Sequence, residues 1–186
     1  GGMIGQVFAS RKPDRTSSLV SIMSSTNHPS LPRPDRRVAS PVLFGRRRAK
    51  NKDEMIDESL ALWSLIGTPD RSVDESELRA RIEQGIDRSY YPAGVRRQVA
   101  AIIATGSLRP YSSKVKAPTL VIHGAEDPLA PVEGGIDTAR TIPSAKLEII
   151  SGMGHDLPAK FVPKINDFIV DHLRSADEQH VAEATA

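Results

Sequence analysis

An imidazole and a carboxylate each follow a short apolar run in the second half of this chain. His155 comes after the run 146–150, in a glycine-flanked turn, and Asp127 comes after the run 119–123, on an equivalent loop. An imidazole that titrates near neutral pH can take a proton from a hydroxyl, and a carboxylate behind it holds the ring in the right tautomer. The two residues therefore predict the acid and the base of a Ser-His-Asp triad, in the chain order Ser, Asp, His.

Other roles are open for the acidic and histidine residues of this region. Asp127 could instead cap the helix that starts near Pro131, and Asp156 is a rival acid beside His155. Adjacent side chains on a turn rarely face each other, which favours Asp127 as the partner. His123 lies within the first apolar run, so we expect it to be a packed, hydrogen-bonded core residue.

Apolar patterns predict the elements that would position the two side chains. Short apolar runs predict strands, whereas apolar residues three and four positions apart predict helices. The predicted strands are 18–24, 119–123 and 146–150, and the predicted helices are 3–11, 52–66, 74–85, 93–105, 133–141 and 159–174. Helices alternating with strands predict an α/β fold with about three parallel strands and flanking helices.

The segment between the first two strands contains more helices than a simple crossover requires. We interpret residues 39–112 as a helical cap inserted over the active site, between one core segment at 1–38 and a second at 113–175. The polar, alanine-rich residues 176–186 are predicted to form a frayed tail.

Composition places this chain of 186 residues among soluble globular proteins, with 39% hydrophobic and 26% charged residues. No apolar stretch reaches the roughly 18 to 20 residues of a membrane helix, so no membrane association is expected and the cytoplasm is the predicted compartment. The chain has no cysteine, and its five histidines lack the spacing of zinc ligands. Neither a metal nor another cofactor is therefore predicted.

A basic run at 46–52 is the charge cluster that could suggest a polyanionic partner. It contains Arg46, Arg47, Arg48, Lys50 and Lys52. The run lacks interleaved aromatic residues, leads into an amphipathic helix, and belongs to a chain with a formal net charge of only +2. We therefore interpret it as a solvated surface and predict no nucleic-acid partner.

Two motifs and the opening residues resemble the α/β-hydrolase superfamily. The motifs are the D-P-L-x-P loop at 127–131 and the G-M-G-H-D-L-P turn at 152–158. The opening residues Gly1-Gly2-Met3-Ile4-Gly5-Gln6 are similar to the end of the nucleophile elbow, written G-x-S-x-G-G-M-I-x-Q in many members. Residues 1–23, 62–67 and 90–98 are most similar to the subgroup that contains aclacinomycin methyl esterase.

The resemblance implies where the nucleophile would lie. Gly1 and Gly2 would be the remnant of the elbow, and the nucleophilic serine is expected two positions before Gly1. No G-x-S-x-G pentapeptide occurs within the 186 residues. The chain is therefore expected to be a C-terminal fragment with a partial α/β-hydrolase fold.

The resemblance also implies a serine carboxylic-ester hydrolase that acts on a small-molecule ester. We expect the chain to be inactive alone, because the nucleophile and the oxyanion loop are absent, and the missing N-terminal half is its expected partner. Met55, Leu60 and Trp63 of the predicted cap could line the substrate pocket or pack in the core. Two alternatives are open: a non-catalytic module that binds a small ligand or a partner chain, and another chemistry of this fold, such as that of a peptidase, lactonase or dehalogenase.

Overall fold

The computed structural model describes residues 1–39, 49–70 and 74–185 of the chain. The elements are α1 (Gly2–Arg11), β1 (Leu19–Ile22), α2 (Lys52–Ile66), α3 (Glu75–Arg88), α4 (Pro92–Thr105), α5 (Arg109–Ser112), β2 (Thr119–Gly124), α6 (Val132–Thr141), β3 (Lys146–Ile150) and α7 (Val162–Ala184). A 3₁₀ turn at Pro13–Arg15 separates α1 from β1. The predicted α/β class with three parallel strands is confirmed.

The described strands form one parallel sheet in the order β1-β2-β3. Every residue of β2 is buried, as expected for a central strand that is covered on both faces. Gly124 at the end of β2 pairs with Ile150 at the end of β3. Because the strands are parallel, the loops that carry Asp127 and His155 both leave the carboxyl edge of the sheet.

Two apolar clusters cover the two faces of this sheet. Neighbouring strand residues point to opposite faces, so Leu19 belongs to one cluster and Val20 packs against the other. The first cluster packs α1 on the sheet and contains Ala9, Leu19, Val115, Ala117 and Ile142. The second packs α7 on the sheet and contains Leu120, Ile122, Ile150, Met153 and Ile165. Each fully buried valine, leucine, isoleucine or methionine side chain contributes about 1.5–3 kcal/mol to the free energy of unfolding.

Helices α2, α3 and α4 lie within the region predicted as a cap, whose boundaries at 39–112 stay a prediction. Lys52 Nζ lies 2.8 Å from carboxylate oxygens of both Glu83 and Asp87, which joins the start of α2 to the end of α3. The arginines of the basic run, at 46–48, lie outside the described residues. Within the described part, Lys52 of that run therefore contacts α3 from the start of α2.

The C-terminal helix is longer than predicted. The frayed tail expected at 176–186 is wrong up to residue 184, because α7 continues to Ala184. Ala176 is buried, and His180 Nε2 lies 2.7 Å from the carbonyl oxygen of Ser17. Alanine, glutamate and glutamine are strong helix formers, so a polar, alanine-rich composition extends a helix that is anchored along one side.

His172 of α7 is a buried imidazole beside the amino ends of two strands. Its side chain lies against the backbone of Leu19 and Pro118. Burial lowers the pKa of His172 below the ordinary value of 6.5, and the positive charge of Lys146 lowers this pKa further. Hydrogen bonds with the backbone of Pro118 and Leu19 raise the pKa and so oppose part of the shift. The folded state therefore favours the neutral imidazole.

Acidification is expected to destabilise the fold through His172, because the unfolded state binds the proton more readily. This contribution is complete above pH 6.5 and is lost as the pH falls from there through the lowered pKa of the folded state. In urea unfolding at about pH 8 and about pH 5, His172→Gln should therefore reduce the difference between the two free energies of unfolding. His28→Gln, at a more exposed histidine, is the control. An undiminished difference in the His172 variant would contradict the assignment.

Candidate active site

The structure brings together the predicted acid and the predicted base. His155 Nδ1 lies 2.7 Å from Asp127 Oδ2. The Asp127 side chain is inaccessible to solvent, whereas the His155 side chain is 26% exposed. Asp127 Oδ1 accepts hydrogen bonds from the backbone N–H groups of Leu129, at 2.9 Å, and Ala130, at 2.7 Å. One carboxylate oxygen is thus held by the loop and the other is directed at the imidazole.

Backbone contacts join the two loops that carry this pair. Ala125 N donates to the carbonyl of Ile150 at 3.0 Å, and Glu126 N donates to the carbonyl of Met153 at 3.0 Å. Gly124 permits this approach, because a Cβ atom at that position would lie 2.3 Å from the Met153 carbonyl oxygen. The two loops are therefore held side by side where the strands end.

His123 is a core residue, as predicted from its position in the strand. It is fully buried, and its Nε2 lies 2.7 Å from the carbonyl oxygen of Ala130. A proton on Nε2 satisfies this contact, so we assign that tautomer. The bond fixes Ala130, whose own N–H is bound by Asp127. His123 thus helps to fix the loop that carries Asp127, and its Nε2 lies 3.6 Å from Asp127 Oδ2.

Asp156, the rival acid, contacts Thr68, which follows the end of α2, instead of the imidazole. Its Oδ1 accepts hydrogen bonds from Thr68 N at 3.0 Å and from Thr68 Oγ1 at 2.6 Å. The sequence did not reveal Thr68, because 88 positions separate it from Asp156 and it belongs to no motif. The glycines at 67 and 154 were the sequence feature that could have indicated this contact, since glycine allows another part of the backbone to approach closely.

A cavity of about 720 Å³ opens beside His155. Its other wall is formed by apolar side chains of α2 and α3, namely Leu60, Trp63, Leu78 and Ile82. Two of the three predicted pocket residues, Leu60 and Trp63, therefore line the same cavity as His155. A second cavity, of about 680 Å³, lies at the amino ends of the strands and contains neither Asp127 nor His155. Ligands of open α/β sheets bind at the carboxyl ends, which favours the first cavity.

Met55, the third predicted pocket residue, does not line this cavity. It precedes Leu60 by five residues, which places it about 140° away around the axis of α2. It also lies near the start of the helix, whereas His155 contacts the end. The prediction of a pocket role for Met55 is therefore wrong for this cavity.

The first two glycines lie where an elbow remnant would be expected. Gly2 begins α1, and a Cβ atom there would lie 2.4 Å from the Cβ of Ser24, just after β1. The adjacent Met23 lines the same cavity as His155. The amino end of α1 therefore meets the carboxyl edge of the sheet. The assignment of Gly1 and Gly2 to an elbow stays a prediction.

Residues 1–39, 49–70 and 74–185 contain no group of three or more histidine, cysteine, aspartate or glutamate side chains that could hold a metal ion. None of the helices in these ranges combines the length and hydropathy that crossing a membrane requires.

Comparison with known proteins identifies the family. The model of the alpha/beta hydrolase fold family matches residues 1–159, so the chain belongs to the α/β-hydrolase family. The chain is 26% identical to a 2-hydroxy-6-oxononadienedioate/2-hydroxy-6-oxononatrienedioate hydrolase of Cupriavidus pinatubonensis, over 93% of this chain and 59% of that protein. It is 25% identical to a rhodomycin D methylesterase of Streptomyces peucetius, over 95% of this chain and 65% of that protein.

A solved structure gives the same fold. A meta-cleavage product hydrolase of Pseudomonas fluorescens superposes with a TM-score of 0.75 at 18% identity, covering 95% of this chain and 62% of that one. The predicted superfamily and the predicted similarity to methylesterases are confirmed. The chain spans 59% to 65% of the length of the two curated relatives.

Proposed function

We propose that this chain carries the acid and the base of a serine carboxylic-ester hydrolase. The observation that carries the proposal is the 2.7 Å contact between His155 Nδ1 and Asp127 Oδ2, with the imidazole at the wall of a cavity. A buried carboxylate, a partly exposed imidazole and an apolar cleft are the parts that acyl transfer from an ester to water requires.

His155 would move the proton in both halves of the reaction. Its Nε2 takes the proton of the attacking serine hydroxyl as the bond to the ester carbonyl carbon forms, and Asp127 stabilises the resulting imidazolium. The imidazolium then donates this proton to the alkoxide that leaves. In the second half, Nε2 takes a proton from water, which attacks the acyl enzyme, and the serine oxygen recovers that proton on departure.

The serine would come from a segment upstream of Gly1. The absence of a G-x-S-x-G pentapeptide from the 186 residues supports this proposal, and so does the likeness of residues 1–6 to the end of an elbow. An oxyanion hole in this family uses the N–H after the nucleophile and one from an earlier loop. Loss of a single such donor costs about 10² to 10³ in rate, so we propose that the 186-residue chain alone is inactive.

The 186-residue chain should show no turnover of p-nitrophenyl acetate beyond that of its His155→Ala variant. The comparison separates catalysis from the background reactivity of surface nucleophiles, because both proteins share every other side chain. Initial rates of p-nitrophenolate release, at matched protein concentration, measure the difference. Turnover that the substitution abolishes would refute the proposed inactivity.

Reading the codons upstream of Gly1 distinguishes the proposed chemistry from its alternatives. An in-frame G-x-S-x supports ester hydrolysis by the extended chain, and that chain should then hydrolyse p-nitrophenyl esters in a manner that requires His155. An in-frame G-x-D-x would indicate a dehalogenase. A stop codon followed by a start codon would indicate a non-catalytic module.

A second candidate is cleavage of a dicarboxylate substrate, as named for the Cupriavidus relative. The specific observation is Arg81, a cation at the wall of the cavity that His155 also lines. Its 3.0 Å ion pair with Glu77 is exposed, and exposed pairs are weak enough to yield to a substrate carboxylate. For the extended chain, Arg81→Gln should raise KM for a carboxylate-bearing substrate more than for a neutral ester. Equal effects would disfavour this candidate.

A further inference from the structure

The turn that carries His155 is bound to the end of cap helix α2. His155 N donates to the carbonyl of Ile66 at 2.7 Å, which satisfies one of the carbonyl groups that the end of a helix leaves without a partner. Gly154 approaches the same point, because a Cβ atom there would lie 2.4 Å from the Gly67 carbonyl. The backbone on the amino side of the imidazole therefore rests directly on α2.

Side chains on both sides complete this contact. Thr68 donates its hydroxyl and its N–H to Asp156 Oδ1, and its hydroxyl oxygen accepts the N–H of Gly154 at 3.1 Å. We call Thr68, Gly154 and Asp156, with these three hydrogen bonds, the latch. Thr68 is 6% exposed, so water competes little for its hydroxyl. The latch holds the residues immediately before and after His155.

The cap helix also forms the wall of the cavity. Trp63 and Leu60 of α2 line the cavity about one and two helical turns before Thr68, which follows the end of α2, and His155 lines the same cavity. The helix α2 thus both lines the cavity and accepts a hydrogen bond from the backbone of His155. One backbone hydrogen bond, from His155 N to the carbonyl of Ile66, joins the end of α2 to the base.

We infer that Thr68 and Asp156 are positioning residues for His155. The latch holds the turn that carries His155 in the arrangement in which Nδ1 faces Asp127. The orientation of the imidazole then depends on the position of the end of α2. The structural part of this inference stands on the contacts alone, whereas its consequence for turnover rests on the proposed function.

Thr68→Val tests the latch with minimal change in shape. Valine removes the hydroxyl, so Gly154 N loses its acceptor and Asp156 Oδ1 loses one of its two donors. The hydrogen bond from residue 68 N to Asp156 Oδ1 is retained. In the 186-residue chain, the amides of segment 151–158 should exchange with deuterium about tenfold faster. The low-field proton resonance of His155 Nδ1, assigned by its loss in His155→Gln, should broaden or disappear.

Two variants serve as controls. Thr68→Ser retains the hydroxyl and should restore both the exchange rate and the resonance. Thr138→Val removes another buried hydroxyl, which donates to the carbonyl of Gly134 at 2.8 Å within α6, and should leave both readouts unchanged. Asp156→Ala removes the acceptor and should reproduce the effects of Thr68→Val, which provides a second test if the valine variant does not fold.

Unchanged exchange and an unchanged resonance in Thr68→Val or Asp156→Ala would overturn the inference. Equal changes in Thr138→Val would also overturn it, because the effect would then reflect general destabilisation. Both readouts are taken without substrate. A failure of the esterase assay therefore leaves this test valid, and a failure of this test leaves the esterase proposal in place.

Discussion

Asp127→Asn is expected to lower kcat of the chain extended upstream of Gly1 by about 10⁴-fold. The side-chain oxygen of asparagine would continue to accept the N–H groups of Leu129 and Ala130. Its NH₂ group would then face His155 Nδ1, because the side-chain oxygen takes the position beside the N–H groups of Leu129 and Ala130. A donor at that place makes Nδ1 an acceptor and puts the ring proton on Nε2, where it prevents acceptance of the serine proton.

Measurement of kcat and KM separates this loss from a general defect. KM should change little, because Asp127 is inaccessible and does not line the cavity wall. Glu126→Gln is the matched control, since Glu126 is the exposed acidic neighbour on the same loop. A loss of less than about tenfold in Asp127→Asn would show that Asp127 does not set the tautomer of the base.

Gly124→Ala is expected to lower the free energy of unfolding by about 3 kcal/mol. The new Cβ atom would lie 2.3 Å from the Met153 carbonyl oxygen and 2.7 Å from that of Gly154. Both are backbone atoms on the histidine side of the sheet edge, and no side-chain rotation can relieve the overlap. The loops of Asp127 and His155 must separate to accommodate one methyl group.

Thermal unfolding measures this effect. A loss of about 3 kcal/mol in a chain of this size lowers Tm by about 6–12 °C. Gly85→Ala is the control, because a Cβ atom at Gly85 in α3 would meet nothing within 4 Å and alanine favours helix by about 1 kcal/mol. A Gly124 variant that melts within about 2 °C of the Gly85 variant would contradict the close approach of the two loops.

Much of the core could be predicted from local pattern. The strands 119–123 and 146–150 are short, continuous apolar runs, and the structure places β2 and β3 at nearly those bounds. Parallel pairing of two such runs brings their carboxyl ends together, so an aspartate and a histidine that follow them are expected to meet. Their separation of 2.7 Å agrees with that reasoning.

The positions of the side chains on α2 and α3 were less predictable, because they depend on contacts between residues that are far apart in the sequence. A helical pattern shows that α2 is amphipathic but not which part of its apolar face reaches the cavity. Leu60 and Trp63 reach it and Met55 does not. The extent of α7 does follow from local composition, because the alanine, glutamate and glutamine residues of 176–184 favour a helix although most residues of that segment are polar.

The sequence itself determined the three strands, the family and the candidate pair of Asp127 and His155, because short apolar runs and the motifs that follow them are read from neighbouring residues. The tertiary structure alone decided that Asp156 binds Thr68 and that Ile66 accepts the N–H of His155. These features depend on which distant backbone groups come within hydrogen-bonding distance. No local pattern of residues encodes that distance.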